Sequence, residues 1–66
     1  MLVTTNGTTR EVEEGTSVEG LIRALGLEPA YVIVERNGEP VERKHYADTR
    51  LGPGDRLELV RAVAGG

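Results

Sequence analysis

Threonine-rich stretches with apolar positions run from Met1 to Thr5 and from Thr8 to Val12, on either side of Asn6-Gly7. Asn-Gly is among the strongest short hairpin signals, because both central residues of a two-residue turn need a positive φ. The chain is therefore expected to open on a β-hairpin. Gly15-Thr16-Ser17 breaks the strand pattern, and Thr16 precedes Glu19 by the spacing of a capping box, so a helix is expected from about Ser17 or Val18. Val18, Leu21, Ile22 and Leu25 fall on one helical face and Glu19 and Arg23 on the other. Gly26 stands where a left-handed C-cap is expected. Gly20, inside the helix, costs about 1 kcal/mol relative to alanine; it either permits close packing on a sheet or is simply tolerated.

Beyond Pro29 the run Tyr31 to Arg36 reads as a third strand that ends at a second Asn-Gly turn, Asn37-Gly38. Glu39-Pro40-Val41 is a short return strand, and Pro40, which has no amide to donate, places it at a sheet edge. Glu42 to Arg50 is polar and irregular, with one helical turn expected around Lys44 to Ala47, and Leu51 returns to the core. Gly52-Pro53-Gly54-Asp55 is a dense turn signal, followed by a last strand from Arg56 to Val60. Successive strand side chains point to opposite faces. Leu57 and Leu59 therefore face the helix with Val32 and Val34, while Glu35, Glu58, Ile33 and Val60 face away. Ile33 and Val60 are thus expected to form an exposed apolar patch. The order of hairpin, helix, hairpin and final strand predicts an α+β fold, a mixed sheet of four or five strands with one helix packed on one face. The last strand is expected to reach the sheet centre beside the first.

Composition narrows the chemistry. The chain has 66 residues, no cysteine, one histidine, no Phe or Trp and two tyrosines. No thiolate metal site, disulfide or nucleophilic thiol can be built from it, and His45 alone makes no histidine metal cage. The net charge of −3 is mild and its signs are interspersed, without the basic, aromatic face that nucleic acid binding requires. No apolar run approaches a membrane span and no signal pattern is present, so the expectation is a cytoplasmic protein with neither nucleic acid nor membrane as partner. No paired acid, base or nucleophile is visible, which argues against a free-standing enzyme. Asp55 and Asn37 are read as turn residues bonding the local backbone, and Lys44 and His45 as a solvated turn.

The sequence closes on Ala64-Gly65-Gly66. Two glycines carry no Cβ, so this segment can thread a channel too narrow for side chains, and the reacting group is then the terminal carboxylate of Gly66. A frayed terminus accounts equally well for small closing residues. The division expected is a domain over 1–61 and a C-terminal tail over 62–66.

The series Asn6-Gly7, Gly15-Thr16-Ser17-Val18, Leu21, Leu25-Gly26, Val34-Glu35-Arg36-Asn37-Gly38, Val41, Arg43, Leu51-Gly52-Pro53-Gly54-Asp55-Arg56-Leu57-Glu58 and Val63-Ala64-Gly65-Gly66 resembles the ubiquitin-like sulfur carriers of the ThiS type. Each piece is common; the set in this order is not. Where family members often carry Val-Pro-Arg, this chain has Val41-Glu42-Arg43, and Tyr46 takes a place often held by Trp.

The resemblance implies a β-grasp (ubiquitin-like) fold and a carrier for thiamine (thiazole) biosynthesis that acts as a cosubstrate and not as an enzyme. It implies that a ThiF-type adenylyltransferase uses ATP and Mg²⁺ to adenylate Gly66, with no cofactor bound by the carrier. Sulfur traced to a cysteine desulfurase then leaves a thiocarboxylate, which a ThiG-type thiazole synthase consumes. Gly66 is the expected reacting residue and Gly65 its steric freedom. Ala64, Val63 and Ala62 follow into the channel, and Val60 and Ile33 form the docking patch. Arg61 either pairs with an acidic channel mouth or is an ordinary solvated charge. Related readings are a carrier for molybdopterin synthesis or tRNA thiolation, a ubiquitin-like protein modifier, and an interaction module with an inert tail.

Overall fold

Asn6 and Gly7 adopt φ values of 47° and 82°, and Asn37 and Gly38 of 54° and 86°, the positive pairs of tight hairpin turns. In the computed structural model, which describes residues 1–62, each turn joins two antiparallel strands. The first pair is β1 (Leu2–Thr5) and β2 (Thr8–Glu11); the second is β3 (Val32–Arg36) and β4 (Glu39–Val41). Between the hairpins lies α1 (Val18–Ala24), and β5 (Arg56–Arg61) closes the fold. Single 3₁₀ turns occur at Pro29–Tyr31 and Arg43–His45.

The sheet has the order β2-β1-β5-β3-β4. β5 runs parallel to β1, with Thr4 opposite Arg56, and antiparallel to β3, with Ile33 opposite Val60. The expected mixed sheet with one helix is therefore present, with the last strand at its centre. Pro40 sits on the edge strand, opposite Glu35, where its missing donor breaks no inner ladder.

Period two assigned the faces correctly. Val32, Val34, Leu57 and Leu59 are buried with Val3 against Val18, Leu21 and Ile22 of the helix. Leu25 contributes less than expected and is half-buried, because the helix ends at Ala24. Its end is a Schellman arrangement: the Gly26 amide donates to the Arg23 carbonyl (2.9 Å) and the Leu27 amide to that of Ile22 (3.1 Å), with Gly26 at φ 77°.

At the other end of the helix the structure corrects the capping expectation. Ser17 is the N-cap, and its hydroxyl oxygen accepts from the Gly20 amide at 3.0 Å. Thr16 instead donates its hydroxyl to the Glu13 carbonyl, and Glu19 pairs with Arg23 one turn on, at 3.6 Å. Helix amides without an intrahelical acceptor need partners from elsewhere. The polar segment after β4 supplies them: Val18 donates to the Thr49 carbonyl (2.9 Å) and Glu19 to that of Tyr46 (3.0 Å).

That segment is thus part of the fold. Its helical turn lies at Arg43–His45, slightly before the Lys44 to Ala47 expected. Tyr46 is buried, and its hydroxyl donates to the Val32 carbonyl at 2.7 Å, while Leu51 joins the core as expected. Tyr31 belongs to the turn before β3, so that strand starts one residue later than the sequence suggested.

Asn37 and Asp55 do more than close their own turns. Asp55 accepts from the Gly52 amide (2.7 Å), as a turn residue would, but also from Arg36 Nε (2.9 Å) and Asn37 Nδ2 (3.1 Å). Asn37 Oδ1 in turn accepts from the Arg56 amide at 2.9 Å. Burial opposes the Asp55 charge, but the bonds from Gly52, Asn37 and Arg36, with the charge of Arg36, outweigh it and hold the carboxyl below the ordinary aspartate range. A carboxyl whose pKa is lower folded than unfolded stabilises the fold fully above its unfolded value and loses that contribution as pH falls through the folded one. Melting curves of Asp55→Asn are expected to show a loss of about 1–3 kcal/mol at pH 7. They should also show a shallower decline than the parent below about pH 4, the unfolded aspartate value. Equal acid limbs for the two proteins would contradict this account.

Candidate functional site

The alternation that buries Val32, Val34, Leu57 and Leu59 sends Ile33 and Val60 to the face that no helix covers. They stand directly opposite each other across β3 and β5, with exposures of 52% and 58%. Directly opposed side chains in an antiparallel pair lie about 4.5–5.5 Å apart at Cβ, so the two form one apolar surface, as the sequence indicated. Glu35 and Glu58 form the next outward-facing pair. Like charges directly opposed are mildly unfavourable, and this pair borders the apolar surface on the side away from the end of β5. Leu2 is also exposed, but β1 runs parallel to β5 with Thr4 beside Arg56. Leu2 therefore lies toward the opposite end of the sheet.

Ala62 follows directly on β5. Its amide donates to the Tyr31 carbonyl at 2.7 Å, which carries the β3–β5 ladder one residue past the Val32–Arg61 pair. Ala62, assigned to the tail from sequence, is thus held at the sheet, half-buried, beside the exposed Tyr31. Val63, Ala64, Gly65 and Gly66 lie outside the described residues.

β5 is also held by a contact that the sequence did not suggest. Asn6, besides making its turn, grips the backbone of β5 with both ends of its amide: Nδ2 donates to the Leu59 carbonyl (3.0 Å), and Oδ1 accepts from the Leu59 amide (2.7 Å). The only sequence signal was an asparagine at a left-handed turn position, and that is explained by the turn alone.

Among the described residues, no group of three or more His, Asp or Glu side chains is placed to hold a metal ion. No described helix is long and apolar enough to cross a membrane. His45 lies in an exposed 3₁₀ turn with Lys44, which pairs with Glu42 at 3.5 Å. Arg61 makes no ion pair with any other described residue. Among the described residues around the end of β5, no proton-transfer or nucleophilic constellation is present.

Comparison with known proteins gives this geometry a family. The sequence profile of the ThiS family matches residues 3–66. A thiazole synthase from Magnetococcus marinus is 39% identical over 66 residues, covering 100% of this chain and 20% of that protein. The chain thus spans about a fifth of the length of that relative. The sulfur carrier protein ThiS of Bacillus subtilis is 36% identical over 50 residues, 76% of each chain. A crystal structure of the thiamine biosynthesis protein ThiS from Geobacter metallireducens superposes with a TM-score of 0.83 at 36% identity, with 100% of both chains covered.

Proposed function

The chain belongs to the ThiS family, and on that premise we propose that it is a sulfur carrier for thiamine biosynthesis whose working group is the carboxylate of Gly66. The observation that carries the reading is the family match running through the closing Val63-Ala64-Gly65-Gly66, after a strand whose last ladder bond among the described residues is at Ala62. A carboxylate is a poor electrophile. A ThiF-type adenylyltransferase, consuming ATP with Mg²⁺, converts it to an acyl adenylate, and AMP becomes the leaving group. A persulfide whose outer sulfur originates at a cysteine desulfurase displaces AMP to give an acyl disulfide. A thiol of the partner side then cleaves the S–S bond and is left in a disulfide with the former persulfide carrier. The released thiocarboxylate is the donor for a ThiG-type thiazole synthase. A segment like this chain inside a much longer protein named thiazole synthase supports that last partner.

In this reading the chain itself supplies no acid, base or metal ligand. The globule provides a handle, Ile33 and Val60, and the closing glycines provide access. Loss of the Ile33–Val60 surface is therefore expected to weaken recognition without harming the fold. The test is to combine the chain with ATP and the cognate activating enzyme and follow the adenylate, then the thiocarboxylate, by intact mass. Ile33→Asp should raise the KM for this chain about tenfold or more, with a melting temperature close to the parent's, because a half-exposed position tolerates polarity. An unmodified chain after incubation with enzyme, ATP and sulfur donor would refute the carrier reading. A lysine adduct in place of the sulfur exchange would replace it with the protein-modifier reading.

A further inference from the structure

On the helix side of the sheet, a shallow hollow lies between the first hairpin, the end of α1 and the end of β5. Leu25, Leu27 and Leu59 give it apolar walls, Thr5 lies at one side, and Arg10 and Arg61 supply its only charged side chains among the described residues. Among the described residues no acidic side chain lines it, although the whole chain carries 11 acidic and 8 basic residues. Arg10 is oriented, since its Nε donates to Thr5 Oγ1 at 2.7 Å, which leaves the two terminal nitrogens of the guanidinium for another acceptor. Arg61 is the last residue of β5 and, as noted, has no acidic partner among the described residues. Two guanidinium groups over aliphatic walls suit one kind of occupant: a segment that offers carboxylates next to an aliphatic side chain.

We infer that this hollow receives an acidic segment of the enzyme that activates the chain end; the inference rests on the carrier reading above. Gly66 stands five positions after Arg61, a span of at most roughly 17 Å. An enzyme that holds the Gly66 carboxyl at its nucleotide must therefore present surface near the root of the extension. The closing residues have no charge of their own on their side chains, so charge-based selection has to be made at the globule. The Ile33–Val60 surface lies on one face of the end of β5 and the arginine hollow on the other. A partner that clasps both grips the root of the extension and fixes the direction of its entry.

The experiment is ATP–pyrophosphate exchange by the cognate activating enzyme, with the parent chain, Arg10→Gln, Arg61→Gln and the double variant, at low and at moderate salt. Each single change is expected to raise the KM for this chain about fivefold and the double change more, with kcat retained. The parent's KM should climb with salt while the double variant's stays nearly flat, because exposed charge attraction is screened over about 10 Å at 0.1 M salt. A parent that supports no exchange at all removes the carrier reading and this inference with it. Exchange by the parent, with unaltered KM and salt dependence in the variants, overturns the inference alone. So does a KM effect on ATP, which would assign the arginines to nucleotide phosphates. A lowered melting temperature with unchanged KM would show that they serve the helix end, and also overturns it. Arg61→Gln guards against a folding artefact at Arg10, since Arg10 alone of the two has a bond to Thr5 to lose.

Discussion

A chain lacking Gly65 and Gly66 is expected to fold as the parent does and to yield no acyl adenylate with ATP and the activating enzyme. The fold should survive because the core residues lie between Val3 and Leu59, and the last ladder bond among the described residues is at Ala62. The chemistry should fail for two reasons. The shortened chain places its carboxylate two residues, roughly 7 Å, short of the reacting position. Its last residues would also bring side chains to a place that, on the carrier reading, admits only backbone. Gly66→Leu separates the two effects, since it keeps the length and adds bulk at the end. Both variants should leave circular dichroism and melting temperature unchanged, abolish the adenylate by intact mass, and fail to support growth without thiamine. Normal growth with the truncated chain as sole carrier would assign the tail no part in sulfur delivery.

The second large effect is on stability. Leu21→Ala is expected to cost about 2–5 kcal/mol, and the total available to a domain of this size is about 3–10 kcal/mol. Leu21, in the middle of α1, is 1% exposed and belongs to the core cluster that includes Val3, Val34 and Leu57 of the sheet. No larger aromatic stands ready to fill the gap, because the core is aliphatic apart from Tyr46, whose hydroxyl is tied to Val32. Urea unfolding should show the midpoint of Leu21→Ala moved far down or the transition lost. Ile33→Ala, on the uncovered face, should remain within about 0.5 kcal/mol of the parent. Comparable losses for the two would mean that the helix contributes little to holding the sheet.

The features legible in the sequence were those with a local cause. Both Asn-Gly turns need positive φ wherever they occur, so the hairpins could be read directly. Period two then assigned Ile33 and Val60 to one face and Leu57 and Leu59 to the other without knowledge of any partner strand. Pro40 named its own edge. The cap was harder, because Thr16 and Ser17 are adjacent and both can cap; the choice was made by carbonyls of Tyr46 and Thr49, some 30 residues away in sequence. Tyr46 looked like part of a polar loop for the same reason. Its burial depends on where residues 42–51 lie against the helix, and no periodicity records that. The same limit hid the reach of Asp55 to Arg36 and the grip of Asn6 on Leu59. Of the candidate site, the apolar pair could be derived and the arginine hollow could not, since nothing in the sequence records the register that brings Arg10 and Arg61 to one hollow with Leu25 and Leu27.

The sheet order has a consequence for synthesis. The strand that joins the two hairpins is the last to be made, and its position between β1 and β3 is held by a bond that spans 53 residues from Asn6. Until this strand is available, two hairpins and a helix have no strand to join them into one sheet. Long-range pairing of this kind forms late. The core and the exposed Ile33–Val60 pair are therefore completed in the same step, when β5 takes its place between β1 and β3.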